Sequence, residues 1–168
     1  MVDTLKELVK QVIDEMIPVH KLLGITLKDV RHGWASLSLP YRQDLEGDPR
    51  SNRMHGGIIA CLLDSAGGAA AITTLTGPND MVSSIDIRVD YLEPAKPDDV
   101  IAEGEIVRSG SSIIVTKMKA YHVTTGEVIA EGKAVYRVKR HGDGTFLTDN
   151  NALKSENPSL DSDKPADL

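Results

Sequence analysis

MHGGIIACLLDSAGGAAA, residues 54–71, decides how the rest of the chain is read. Advancing by about 100° per residue, the helical period, and taking Gly57 as origin, one side collects Gly57, Ala60, Cys61, Asp64, Gly67, Gly68 and Ala71. The other collects Ile58, Ile59, Leu62, Ala66, Ala69 and Ala70. The bulky side is what a sheet wraps, whereas the small side admits another backbone or a ligand, because glycine lacks the Cβ that would hold it off. Glycines at 67 and 68 cost roughly 1 kcal/mol each against alanine in a helix interior, and close approach is the compensating reason. Asp64 stands in the middle of that small side. A carboxylate there has to be hydrogen-bonded, neutralised or wetted, so two readings are open: a structural bond to a neighbouring strand or second subunit, and a catalytic group.

Outward from this helix the periodicity changes. Leu5, Leu8, Val9, Val12, Ile13 and Met16 recur at helical spacing with Asp3 or Thr4 as cap and Pro18 beyond, which predicts an amphipathic N-terminal helix. Residues 22–41 alternate around Gly33 and read as one bent strand or a hairpin, and the polar residues 42–53 read as a loop. After the central helix, VSSIDIRVDYL sets Ile85, Ile87, Val89 and Tyr91 against Ser84, Asp86, Arg88 and Asp90 with a period of two. Three more strands follow, with turns at Ser109–Ser111 and Thr124–Gly126. The order helix, strand, long apolar helix, four strands predicts an α+β fold in which an antiparallel sheet packs on one buried helix.

The chain's 168 residues suffice for one cored domain, assigned to residues 1–140, with 141–168 a polar acidic tail read as largely disordered. The tail holds much of the net charge of −6, and an acidic balance argues against nucleic acid as partner. No apolar run is long enough to span a membrane and no secretory or transit pattern opens the sequence, so a cytoplasmic protein is expected. Cys61 is the only cysteine, which excludes an internal disulfide or a cysteine-based zinc site. No basic residue adjoins it, so it reads as an inert buried thiol.

At the start of the central helix, His55, Gly56 and Gly57 offer unpaired backbone N–H groups and the positive end of the helix dipole, a seat for an oxyanion or polarised carbonyl. With Asp64 this makes acyl transfer feasible. The two lie about two turns apart, too far for one chain to bring both to one atom, so a second subunit is implied.

The string Asn52-Arg-Met-His55-Gly56-Gly57, Asp64 nine positions after the histidine, and the strand VSSIDIRVDYLEPA together resemble the hot-dog-fold acyl-CoA thioesterases of the PaaI type, relatives of phenylacetate-degradation and 4-hydroxybenzoyl-CoA thioesterases. The resemblance covers roughly Leu22 to Lys139. It implies a sheet wrapped around one long helix, a homodimer as minimal unit that often pairs into a homotetramer, and active sites at the dimer interface. It also implies that the Gly56 N–H polarises a thioester carbonyl and that Asp64 of the facing subunit is general base or nucleophile. His55 would orient the thioester and Ser84 would hold the attacking water. The family often carries Asn or Gln six positions before the histidine; Pro49 stands there, and Asn52 is taken as its substitute. Coenzyme A belongs to the substrate, so no separate cofactor or metal is expected. Candidates for holding it are Gly57, Arg88, Arg108 and the turn Gly110, Ser111 and Ser112. Lys117 and Lys119 read as a solvated sheet face.

The competing readings are a non-hydrolytic acyl-CoA-binding protein, a hot-dog hydratase or dehydratase, and a scaffold. A hydratase would pair Asp and His about five residues apart, a spacing absent after Asp64. Medium-chain, short branched and aryl acyl groups all stay open, although 4% aromatic residues give little ring-stacking material.

Overall fold

The computed structural model describes residues 2–48, 50–77 and 79–141. Helix α1 (Val2–Lys10) runs into a π-helical turn (Gln11–Met16) and then α2 (Pro18–Leu23). The predicted single N-terminal helix is thus two, because Pro18 opens the second rather than merely closing the first; its fixed φ and missing N–H suit a first helical position. Gly24 ends α2 in the left-handed conformation at φ 78°, its N–H on the His20 carbonyl. The wide π turn is held from outside: Asp14 Oδ1 accepts the Leu27 N–H at 2.8 Å, and His20 Nδ1 lies 2.9 Å from the Ile13 carbonyl.

Strands β1 (Thr26–Arg31) and β2 (Trp34–Leu39) form the expected hairpin, turning at Gly33 with φ 76°. Residues 42–53 are more ordered than the loop predicted from their polarity. They hold a 3₁₀ turn (Gln43–Leu45) and the short strand β3 (Glu46–Asp48), which pairs with β4 (Arg53–Met54). Helix α3 (Gly56–Ile72) follows, then β5 (Met81–Tyr91), β6 (Val100–Ser109), β7 (Ile113–His122) and β8 (Val128–Lys139). Six strands make one antiparallel sheet in the order β1-β2-β6-β7-β8-β5, and α3 packs across it. The architecture is the predicted α+β hot-dog arrangement. Of the acidic tail assigned to residues 141–168, all but His141 lies outside the described residues.

Ile59, Leu62, Leu63, Ala66 and Ala70 of α3 are buried against Leu37, Ala102, Ile114, Ala134 and Tyr136 of the sheet. Glycine is required where helix and sheet come closest. A Cβ on Gly104 of β6 would sit 2.3 Å from the Ala66 carbonyl oxygen, so the α3 backbone rests directly on the strand. Readings of sidedness change on α3, where Ala71 as well as Gly67 is buried, and on β5. Gly67, placed by periodicity on the open side of α3, is buried against the sheet, where a Cβ would come within 2.4 Å of the Tyr136 hydroxyl. The strict alternation of β5 also fails: a bulge at Ile85 shifts the register between Ser84 and Asp86. Ser84 therefore shares the α3 side with Val89 instead of facing away with Arg88.

The neighbouring glycines of α3 give opposite expectations. Gly67→Ala forces a methyl into the Tyr136 hydroxyl and lowers stability by about 1–3 kcal/mol, the usual overpacking range. At Gly68 a Cβ meets only Tyr136 Cε1, at 3.7 Å, so Gly68→Ala keeps the helix-propensity gain of about 0.5–1 kcal/mol. Urea unfolding of the two variants beside the parent checks both signs.

Candidate active site

Two clusters form on the partly exposed side of α3, one at its start and one at its middle. At the start, the chain enters the helix between two neighbours: the Met54 N–H donates to the Ala95 carbonyl at 2.9 Å and the His55 N–H to that of Leu45 at 2.8 Å. His55 caps the helix, its Nδ1 accepting the Gly57 N–H at 2.9 Å. In the neutral ring the proton is therefore on Nε2, which is left as a donor on an exposed side chain. With Gly57 capped by His55, the Gly56 N–H is the amide of this turn without an acceptor among the described residues. Tyr91 closes the other side. Its hydroxyl donates to the Gly56 carbonyl at 2.8 Å, and a Cβ on Gly56 would lie 3.3 Å from its ring. Arg53, Met54, Gly56, Tyr91, Leu92 and Pro94 help line a cleft of about 270 Å³ here.

Near the middle of α3, Asp64 is half-buried. The Ser84 hydroxyl donates to its Oδ1 at 2.8 Å, and the Tyr136 hydroxyl lies 2.8 Å from its backbone carbonyl and 3.2 Å from the same Oδ1. Ser84 and Tyr136 are directly opposed in the β5–β8 register, so one cross-strand pair presents both hydroxyls. Burial, then the Asp64 charge, pushes the Tyr136 phenol far above its ordinary pKa; the Thr116 hydroxyl and Gly68 amide pull it only partly back. Tyr136 stays a donor throughout the physiological range.

The structure brings together Asp64 with Ser84, and His55 with Gly56 and Gly57. Eight residues of helix separate the two clusters by about 12 Å. Asn52 is exposed in the turn before β4 with φ 45°, a conformation asparagine tolerates better than most residues, and makes no side-chain hydrogen bond among the described residues. Arg88 projects from the outer sheet face, away from α3, and pairs with Asp90 at 3.0 Å. Arg108 is exposed beside the β6–β7 turn. In that turn the Gly110 N–H donates to the Ile113 carbonyl at 2.8 Å, the Ser111 carbonyl accepts from Arg140, and the Ser112 carbonyl accepts the Val138 N–H at 2.9 Å. A groove of about 530 Å³ lies on the outer face among Arg88, Glu103, Lys117, Lys119 and Lys133. None of the α3 site residues lines it, and Lys117 and Lys119 there are paired with Glu105 and Glu103. Sequence reasoning missed Tyr91 and Tyr136: the first stood inside the quoted motif without an assigned contact, and the second gave no local signal.

A thioesterase-superfamily model matches residues 51–129, which include His55, Gly56, Asp64, Ser84 and Tyr91 and end before Tyr136. The chain is 35% identical over 127 residues to a provisionally named esterase of Halobacterium salinarum, covering 70% of this chain and 82% of that one. It is 26% identical over 134 residues to the medium/long-chain acyl-CoA thioesterase YigI of Escherichia coli, covering 73% and 86%. A crystal structure of a Shewanella oneidensis protein related to the thioesterase superfamily superposes with a TM-score of 0.73 at 27% identity, over 82% of this chain and 97% of that one.

Cys61, one turn before Asp64 and half-buried, has its thiol pushed up chiefly by burial; a hydrogen bond with Ser65 pulls it partly back, and the Asp64 charge adds a lesser upward push. Its reaction with a disulfide reagent at neutral pH is expected to be at least about tenfold slower in the folded than in the urea-unfolded chain, as followed by thiolate release.

Proposed function

Since the chain belongs to the thioesterase superfamily, we propose that it hydrolyses an acyl-CoA thioester to the free acid and coenzyme A, using Asp64 and the Gly56 N–H. The observation that carries this reading is the presence on one helix of an amide without an acceptor among the described residues and a carboxylate held on one oxygen, both at the partly exposed border of α3. Named acyl-CoA thioesterases among the relatives support the substrate class. No helix of the described residues is long and apolar enough to cross a membrane, and a cytoplasmic enzyme is part of the proposal.

The thioester carbonyl oxygen accepts the Gly56 N–H, which stabilises the charge that develops there; the helix dipole adds to this. Asp64 of a facing subunit either takes a proton from water as the water oxygen attacks the carbonyl carbon, or attacks that carbon itself. In both routes the C–S bond breaks and the coenzyme A sulfur takes up a proton; in the second the acyl–Asp64 anhydride so formed is then cleaved by water, which releases the acid and restores the carboxylate. His55 Nε2–H donates to the thioester or to the leaving sulfur. The facing subunit docks along β5, which ends the sheet with its outer backbone edge unpaired among the described residues and with Met81, Ile85, Tyr91 and Leu92 each more than half exposed. Such a dimer joins the start of one α3 to the middle of the other, and two dimers pair into a tetramer. Arg108 and the Gly110–Ser112 turn take the nucleotide phosphates, with Asn52 at the edge of the cleft. Arg88, on the outer face with its charge met by Asp90, is the candidate of that set farthest in chemistry from this path.

Coenzyme A release from a panel of acyl-CoAs tests the proposal. Asp64→Ala, with unchanged oligomeric state and melting temperature, is expected to lower kcat/KM by a factor of about a hundred or more. Unaffected turnover would reject Asp64 as the acting group, and a wild type that binds but does not turn over any acyl-CoA would leave a binding protein. Single turnover in heavy-oxygen water tests the nucleophilic role of Asp64: label in its carboxylate establishes that route, with water cleaving the anhydride at the Asp64 carbonyl carbon. Ile85→Lys is expected to dissociate the dimer, read by light scattering, and to abolish turnover while the monomer's circular dichroism stays native.

A further inference from the structure

Tyr136 lies 72 residues from Asp64 in the chain, on β8, and is only 1% exposed. Its hydroxyl reaches the helix because Gly67 has no side chain: a Cβ there would stand 2.4 Å from the phenol oxygen and 2.9 Å from Thr116 Oγ1. The one phenolic hydrogen faces two acceptors of the same residue, the Asp64 carbonyl at 2.8 Å and Oδ1 at 3.2 Å. Backbone and side chain of Asp64 are thus tied to one rigid, buried ring. Ser84, opposite Tyr136 on β5, adds its own bond to Oδ1 at 2.8 Å. Both side-chain donors fall on Oδ1, and among the described residues none falls on Oδ2. A carboxylate fixed on one oxygen presents the other.

We infer that Tyr136 is the positioning residue for Asp64: with Ser84 it saturates Oδ1, fixes the rotation of the carboxylate and leaves Oδ2 as the oxygen that meets the substrate or its attacking water. This rests on the thioesterase reading for its chemistry and on geometry alone for the orientation. Ser84 without Tyr136 leaves the carboxylate free to swing about a single bond, whereas two donors from different strands define its plane. The cost of Gly67 within the helix is compensated by this contact. Because the phenol is buried and remains protonated, it donates to the anionic carboxylate and yields that bond as Oδ2 gains a proton from water during attack.

Tyr136→Phe keeps the ring and removes the hydroxyl. In the acyl-CoA assay kcat is expected to fall by about ten- to a hundredfold, the range for a hydrogen bond to a charged group, with KM within about twofold. In an Asp64→Ala background the same substitution is expected to change the residual rate by less than about twofold, because its effect runs through the carboxylate. A folded Tyr136→Phe with wild-type kcat, or an equal loss in the Asp64→Ala background, would overturn the assignment. A crystal structure of Tyr136→Phe reads the orientation without any activity: Asp64 is expected to leave its present rotamer or occupy more than one, and an unchanged single rotamer would overturn the inference even if no acyl-CoA is a substrate. Absence of turnover by wild type together with a displaced Asp64 would reject the thioesterase reading and retain the positioning role.

Discussion

The contact between the α3 backbone at Ala66 and Gly104 of β6 is the constraint on which the remaining geometry depends. With no side chain on the strand, the helix settles directly on the sheet, and Leu62, Leu63, Ala66 and Ala70 turn inward as a set. Once those positions are buried, the 3.6-residue period leaves Asp64 at the border, half in the core and half toward solvent. Any larger residue at 104 would lift the helix, and the hydroxyls of Ser84 and Tyr136 would no longer meet the carboxylate. Tight packing here sets hydrogen-bond lengths as well as stability.

Each polar group of the site is held by a second element, which divides occupied positions from available ones. His55 uses Nδ1 on the Gly57 amide, so its other nitrogen is the outward one. Tyr91 takes the Gly56 carbonyl and His55 takes the Gly57 N–H, so both ends of that peptide are occupied and the preceding amide, Gly56 N–H, is the one left to a ligand. Near the middle of α3, His20 Nε2 lies 2.8 Å from Ser65 Oγ, joining the N-terminal helices to α3 next to Asp64. A buried polar group so arranged meets its desolvation cost with fixed partners and gives up rotational freedom, which is how a reacting group is pre-organised. The outer face of the sheet differs. There Lys117, Lys119 and Arg88 are paired with acids across and along the strands, in exposed positions where such pairs contribute little to stability.

Much of the fold was legible because the decisive signals are local. Four period-two runs after a long small-residue helix admit few arrangements other than a sheet against that helix. The pieces that sequence reading missed were short or balanced: α2 hides behind a proline that usually ends a helix, and β3–β4 is a pair of strands too brief to show a period. Of the site, the His-Gly-Gly start and Asp64 stood out because glycine and a lone acid are conspicuous in an apolar run. Asn52 stood out for its place in the motif, and the structure shows a left-handed turn residue there, which a sequence pattern cannot distinguish from a functional one.

The sequence by itself determined the classes of element, the helix that carries the chemistry, and the residue types able to perform it, since each of these follows from spacing within a few turns or strand pairs. Tertiary structure alone decided which groups meet. A one-residue bulge at Ile85 reverses the facing of Ser84, and the β5–β8 register then sets Tyr136 opposite it, beneath Asp64. Bulge and register are chosen by the summed packing of two strands and a helix, contacts between residues far apart in the chain. No window of neighbouring residues contains that sum, and so none could announce the hydroxyl pair that orients the carboxylate.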